Sequence, residues 1–198
     1  MIGIINYGAG NLRSISQAIN FLGYEVKIIS FPEQAEGVEK LIIPGVGSFG
    51  AAMSAIREKN LENFIYTWLV NKKPLLGICL GLQLLCEGSE ESPGESGFGF
   101  FPGRCRKLRA GKIPHIGWNK IKIIQRDPIF EGFSGDEYFY FVHSFYREEA
   151  DRFTLALTEY GQVFSSVLKK DSIYACQFHP EKSGETGLRF LRNWVERC

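Results

Sequence analysis

Cys79 stands between two glycines, in Gly77-Ile78-Cys79-Leu80-Gly81, where an apolar strand-like run gives way to a helical one. With serine at its centre, this G-x-S-x-G form is the nucleophile elbow, a strand-to-helix turn too crowded for side chains at the flanking glycines. Such a turn lifts the central side chain to the C-terminal end of its strand, where open α/β sheets bind ligands. It also sets the sulfur at a helix N-terminus, whose dipole favours a thiolate.

A thiol nucleophile needs a base, and the base needs a third group to fix its tautomer. The chain has three histidines, at 115, 143 and 179. His179 follows an apolar strand-like run and precedes Pro180 and Glu181, so base and orienter would sit in one rigid piece of chain. Residues two apart point to one side of an extended segment. Taken singly, His-Pro-Glu is a surface turn and Cys79 a buried thiol; taken together, each supplies what the other lacks. The remaining need is a donor pair for an oxyanion. Gly47, in Pro44-Gly-Val-Gly47, and the N–H of Leu80 are the candidates. There is no His-x-x-x-His pair and no C-x-x-C, so the chemistry calls for neither metal nor cofactor.

The elements that must hold these residues are legible as an alternation. Apolar strands at Ile2–Asn6, Glu25–Ser30, Lys40–Ile43 and Leu75–Cys79 are separated by helical patterns. The helices run from Leu12 to Leu22 and over Ala51–Arg57, Leu61–Val70 and Leu80–Glu87. This spacing predicts parallel β-α-β units with helices on both faces of a buried sheet. A polar loop follows from Gly88 to Gly97, and the basic run Arg104–Arg109 reads as a solvated strand edge. The second half is strand-rich, with pieces at Ile116–Ile124, Tyr138–His143, Thr154–Thr158, Val163–Leu168 and Ile173–Phe178, and a last helix at Gly187–Arg197. No linker or repeat divides the 198 residues, so one α/β domain over 1–198 is expected.

Net charge is +1, with 44% hydrophobic and 23% charged residues, which gives no bulk attraction to nucleic acid or membranes. The first residues have no basic stretch or cleavage-type tail, and the longest apolar segment is too short to span a bilayer. Five cysteines at irregular spacing suggest free thiols in a reducing compartment, hence a cytoplasmic setting.

The segments PGVGSF, GICLGLQLL, PHIGWN, YFVHSFY and FHPEKS, in this order and together with YGAGNL near the start, resemble the class I glutamine amidotransferases. Within that family they are most similar to the glutaminase subunits of imidazole glycerol phosphate synthases. The resemblance covers essentially the whole chain and implies the flavodoxin-like amidotransferase fold, with a mostly parallel sheet flanked by helices. It implies that Cys79 attacks the side-chain amide of L-glutamine, with His179 as base and acid, Glu181 as its orienter, and Gly47 and Leu80 serving the oxyanion. It matches Gln83, Glu91, Ser144 and Phe145 to positions that contact the substrate. It further implies a heterodimer with a (β/α)8 cyclase subunit of the HisF type. Ammonia would pass through that barrel to the ribulosyl substrate PRFAR, giving imidazole glycerol phosphate and AICAR in histidine biosynthesis. Asn11, Trp118, Tyr138, Tyr140 and Lys182 match interface positions. Phe145 departs from the tyrosine of many relatives, and Cys86 from an aromatic residue.

Two other readings use the same residues. A paralogous amidotransferase subunit would send its ammonia to a different synthase, such as one in surface-glycan assembly. A non-catalytic flavodoxin-like nucleotide-binding module would use Tyr7-Gly-Ala-Gly10, although Arg13 occupies the third glycine position of G-x-G-x-x-G.

Overall fold

The computed structural model describes residues 1–8, 11–109, 111–148 and 151–198. Part of the Tyr7–Gly10 turn therefore lies outside the described residues, at Ala9 and Gly10. The first half runs β1 (Ile2–Ile5), α1 (Leu12–Phe21), β2 (Val26–Ile29), β3 (Lys40–Ile43), α2 (Phe49–Glu58), α3 (Leu61–Val70), β4 (Leu75–Ile78) and α4 (Leu80–Leu84). The second half runs β5 (Cys86–Ser89), β6 (Phe101–Lys107), β7 (His115–Lys120), β8 (Lys122–Ile123), β9 (Tyr138–His143) and β10 (Phe145–Arg147). It ends with β11 (Thr154–Glu159), β12 (Val163–Lys170), β13 (Ile173–Cys176) and α5 (Gly184–Arg197).

Eight strands form one sheet in the order β2-β1-β3-β4-β13-β12-β11-β8. The run from β2 to β13 is parallel, and β12, β11 and β8 continue it antiparallel. β1 and β4 are buried at every residue, as strands covered on both faces must be. Each fully buried Ile or Leu there contributes about 1.5–3 kcal/mol. One face packs on α1 and α5 through Ile15, Ile19, Phe190 and Trp194. The other packs on α2 and α3 through Phe49, Ile56, Ile65 and Leu69.

Four sequence expectations need correction. The helix expected over Leu80–Glu87 ends at Leu84, and Cys86–Ser89 forms β5. Leu80–Leu84 is wholly buried and so is Cys86, so an apolar run serves helix and strand alike and periodicity cannot separate them. The strand expected over Ile116–Ile124 is two strands in different sheets, separated at buried Ile121. The polar loop from Gly88 begins inside β5. Finally, the basic run belongs to the middle strand of a three-stranded sheet, β10-β6-β5, not to an edge. There Phe101 and Cys105 point inward while Pro102, Arg104 and Arg106 are exposed.

Candidate active site

The elbow is built where β4 stops. Cys79 adopts φ 52° and ψ −101°, a conformation that costs a non-glycine residue about 1–3 kcal/mol. Its N–H donates to the Cys176 carbonyl at 2.8 Å, so neighbouring β13 holds the bend. A Cβ on Gly77 would lie 2.8 Å from the Gly81 carbonyl oxygen, and one on Gly81 only 2.0 Å from that of Ile43. Neither position admits a side chain. Because α4 has five residues rather than eight, its dipole contributes less than a full helix would.

His179 enters from the end of β13. Its Nδ1 lies 2.8 Å from Glu181 Oε1, and the two side chains are only 1% and 3% exposed. Asn11 donates from Nδ2 to the same carboxylate oxygen at 3.4 Å. The Ser183 hydroxyl donates to the His179 carbonyl at 2.6 Å, and the His179 N–H to the Tyr140 carbonyl at 2.9 Å, so the turn is fixed at both ends. Burial alone would push the imidazole pKa down. The adjacent Cys79 sulfur and the Glu181 carboxylate outweigh it and hold the pKa up to about 10. Nε2 is buried without a hydrogen-bond partner of normal geometry, on the side where it interacts with the sulfur. A buried orphan of this kind calls for a functional account.

Beside the sulfur lies a pocket of about 260 Å³. Cys79, Leu80, Gly47, Gln83, Glu91, Ser144 and Phe145 all line it, so the nucleophile, oxyanion and substrate positions expected from the sequence meet in one place. Gln83 donates from Nε2 to the Phe145 carbonyl at 3.0 Å. One oxygen of Glu91 accepts from the Phe49 N–H at 2.7 Å, which fixes this carboxylate at the start of α2. Gly47 has φ +114°, so the Pro44–Gly47 segment turns through a conformation glycine adopts freely. The arrangement can hold a small amide with its carbonyl carbon at the sulfur and a carboxylate within reach of an amine.

β7 and β9 form an antiparallel ribbon along the same side. Its inner face carries His115, Phe139, Phe141 and His143, all buried. Its outer face leaves Ile116 and Trp118 each 55% exposed and Tyr138 49% exposed, with half-buried Tyr140 beside Trp118 at a ring separation of 6.1 Å. Lys182 is exposed next to the His179 turn. Of the five residues expected at an interface, Asn11 alone has its side chain tied into the site, through Glu181.

Sequence reading missed two residues here. Gln177 donates from Nε2 toward the Cys79 sulfur at 3.6 Å, and the Tyr7 hydroxyl donates to the Pro44 carbonyl at 2.6 Å. Pairing of β13 with β4 places Cys176 opposite Ile78, and that register is the signal that would have found Gln177. Tyr7 had no local signal, since its partner is 37 residues away. Among the described residues no group of His, Cys, Asp and Glu could hold a metal ion, and no helix is long and apolar enough to cross a membrane.

An open α/β sheet with a cysteine on a strained elbow and a buried His-x-Glu at the next strand end is an arrangement for acyl transfer through a covalent thioester. The family profile described as glutamine amidotransferase class-I matches residues 3–198, and the chain belongs to that family. Similar proteins include several named imidazole glycerol phosphate synthase subunit HisH. The one from Methanothermobacter thermautotrophicus is 47% identical, covering 99% of this chain and 98% of its own. That from Methanocaldococcus jannaschii is 46% identical, covering 99% of each. Solved structures share the fold at lower identity. A crystal structure of a glutamine amidotransferase superposes with a TM-score of 0.78 at 21% identity, covering 98% of both chains. The PurLQS structure from Thermotoga maritima gives 0.77 at 20%, covering 98% of this chain and 96% of that one.

Proposed function

We propose that this chain is the glutaminase subunit of an imidazole glycerol phosphate synthase, working in the cytoplasm as one amidotransferase domain. The observation that carries the reading is the Cys79 sulfur at the wall of the 260 Å³ pocket with the buried His179–Glu181 pair behind it. The thiolate of Cys79 attacks the side-chain carbonyl carbon of glutamine. The N–H groups of Leu80 and Gly47 stabilise the oxyanion, the latter after its segment turns inward. Collapse of the tetrahedral species breaks the C–N bond, and protonated His179 delivers a proton to the departing nitrogen, releasing ammonia. Neutral His179 then takes a proton from water, whose oxygen attacks the γ-glutamyl thioester. Breakage of the C–S bond returns glutamate and the thiolate. Glu181 holds the ring in its productive tautomer throughout. Gln83 and the Ser144–Phe145 backbone orient the substrate, and Glu91 receives its α-amino group.

The ammonia acceptor is reached through a partner. The exposed Trp118 and Tyr138 and the half-buried Tyr140 on the β7–β9 ribbon, with Asn11 and Lys182 beside the triad, suit a docking face for a HisF-type (β/α)8 cyclase subunit. This face adjoins the sulfur, because the Val142 carbonyl, on β9, accepts from Cys79 Sγ at 3.8 Å. The test is ammonia release from glutamine by the chain alone, with a HisF-type barrel, and with barrel plus PRFAR. Low activity alone and a large rise in the full system is the expected result. Rapid uncoupled hydrolysis by the chain alone contradicts the subunit reading. Activation only by the barrel of another synthase moves the acceptor to that pathway.

A further inference from the structure

Two histidines outside the triad are buried, His115 and His143, at 2% and 5% exposure. They face each other across the β7–β9 ladder, with His115 Nδ1 3.0 Å from His143 Nε2. Their protons can be assigned from the partners. His143 Nδ1 lies 3.0 Å from the Phe145 carbonyl, which can only accept, so Nδ1 carries the hydrogen. In the neutral ring Nε2 then accepts, and His115 must donate to it from Nδ1. His115 Nε2 is left as an acceptor, 3.3 Å from the Asn119 side-chain amide nitrogen. The orientation of that amide is fixed independently, since its oxygen accepts from the Lys120 N–H at 2.8 Å and its nitrogen donates to the Glu159 carbonyl at 2.9 Å. The result is a one-way row of donors from Asn119 through both rings to Phe145.

A second proton on either ring would set two donors face to face. Burial works in the same direction, lowering His115 to about 4, while burial and the proximity of His115 lower His143 to about 3. His115 is also clamped between aromatic rings, with the Tyr160 centroid at 4.0 Å and that of Phe141 at 4.8 Å, both nearly parallel. The row ends at the substrate pocket. The Phe145 carbonyl that accepts from His143 also accepts from Gln83, at the corner where the chain leaves β9 for β10.

We propose that His115 and His143 are positioning residues for the glutaminase reaction, a neutral pair with both rings in the Nδ1–H form. They fix the Ser144–Phe145 corner and the Gln83 amide that together hold glutamine. The inference rests on the reading of this pocket as the glutamine site. The rings act through the Phe145 carbonyl and not on the reacting atoms. Ordinary core histidines would fill the same space without demanding one tautomer.

Two measurements on the full chain test it. The first is nitrogen NMR of histidine-labelled protein, with the three histidines assigned by substitution. Both rings are expected neutral and Nδ1–H between about pH 8 and pH 6, the less populated form of free imidazole in water. An Nε2–H or charged state for either ring overturns the inference. The second is glutamine kinetics in the partner complex. His143→Phe keeps an aromatic ring but deletes the donor, and is expected to raise KM about tenfold with a smaller effect on kcat. His143→Gln can donate to Phe145 and accept from His115, and is expected to recover most of the loss. Iodoacetamide labelling of Cys79 at the wild-type rate in both variants would show the elbow intact. A wild-type KM in folded His143→Phe overturns the positioning role. Absence of glutamine turnover in the wild-type complex overturns the inference through the pocket reading, and the tautomers then show that the failure lies in that reading and not in the row.

Discussion

His179 Nδ1 and Glu181 Oε1 lie 2.8 Å apart in a pair almost sealed from solvent, on the far side of the ring from the Cys79 sulfur. The carboxylate holds the ring's orientation and shares in keeping it protonated. Glu181→Gln is therefore expected to lower glutamine turnover by about 10⁴-fold, the loss seen when a triad carboxylate becomes its amide. It should also move the His179 titration below about 10, read by imidazole NMR. An unchanged rate would remove Glu181 from the mechanism.

The same ring predicts a pH dependence of stability. Its folded pKa, about 10, is raised above the ordinary 6.5. A raised pKa means that its stabilisation is fully present below pH 6.5 and is lost as pH rises through about 10. Denaturant titrations across that window should show wild type losing stability faster than His179→Asn. Parallel curves would contradict the assignment.

Gly81 tests the elbow's geometry. Its Cβ would lie 2.0 Å from the Ile43 backbone oxygen, and backbone on a central strand cannot move aside cheaply. Gly81→Ala is expected to cost about 3 kcal/mol or more, read as a large fall in Tm. Gly94, which has open space around its Cβ position, should tolerate alanine within about 0.5 kcal/mol. Equal Tm values for the two variants would refute the crowding account.

Much of this site could be read from the sequence because its chemistry is local. Gly77 and Gly81 frame Cys79 within five residues, and Glu181 follows His179 by two. The alternation of apolar strands and amphipathic helices likewise gave the parallel half of the sheet, where each element buries a continuous or 3.6-spaced set. What stayed hidden was set by distant pairing. Nothing near Tyr7 points to Pro44, nothing near Asn11 points to Glu181, and His115 meets His143 only once β7 is registered on β9. The over-long helix after Cys79 failed for a different reason. Cys86 is as buried as the leucines before it, so hydrophobicity has no period to show where helix becomes strand.

The docking face proposed for the β7–β9 ribbon gives a prediction separable from catalysis. Trp118 is 55% exposed, with Tyr140 at its flank, so its truncation should leave the fold intact. Trp118→Ala is expected to weaken binding to a HisF-type barrel by about 2 kcal/mol or more, measured by calorimetric titration. Unchanged affinity would place the interface on another face.

The account stands most directly on Cys79 as nucleophile. The decisive measurement is glutamine-dependent ammonia release by Cys79→Ala in the complex with a HisF-type barrel and PRFAR, with glutamine binding followed on the same sample. Turnover at the level of buffer alone, with glutamine still bound, is the predicted result. Turnover near the wild-type rate would contradict it.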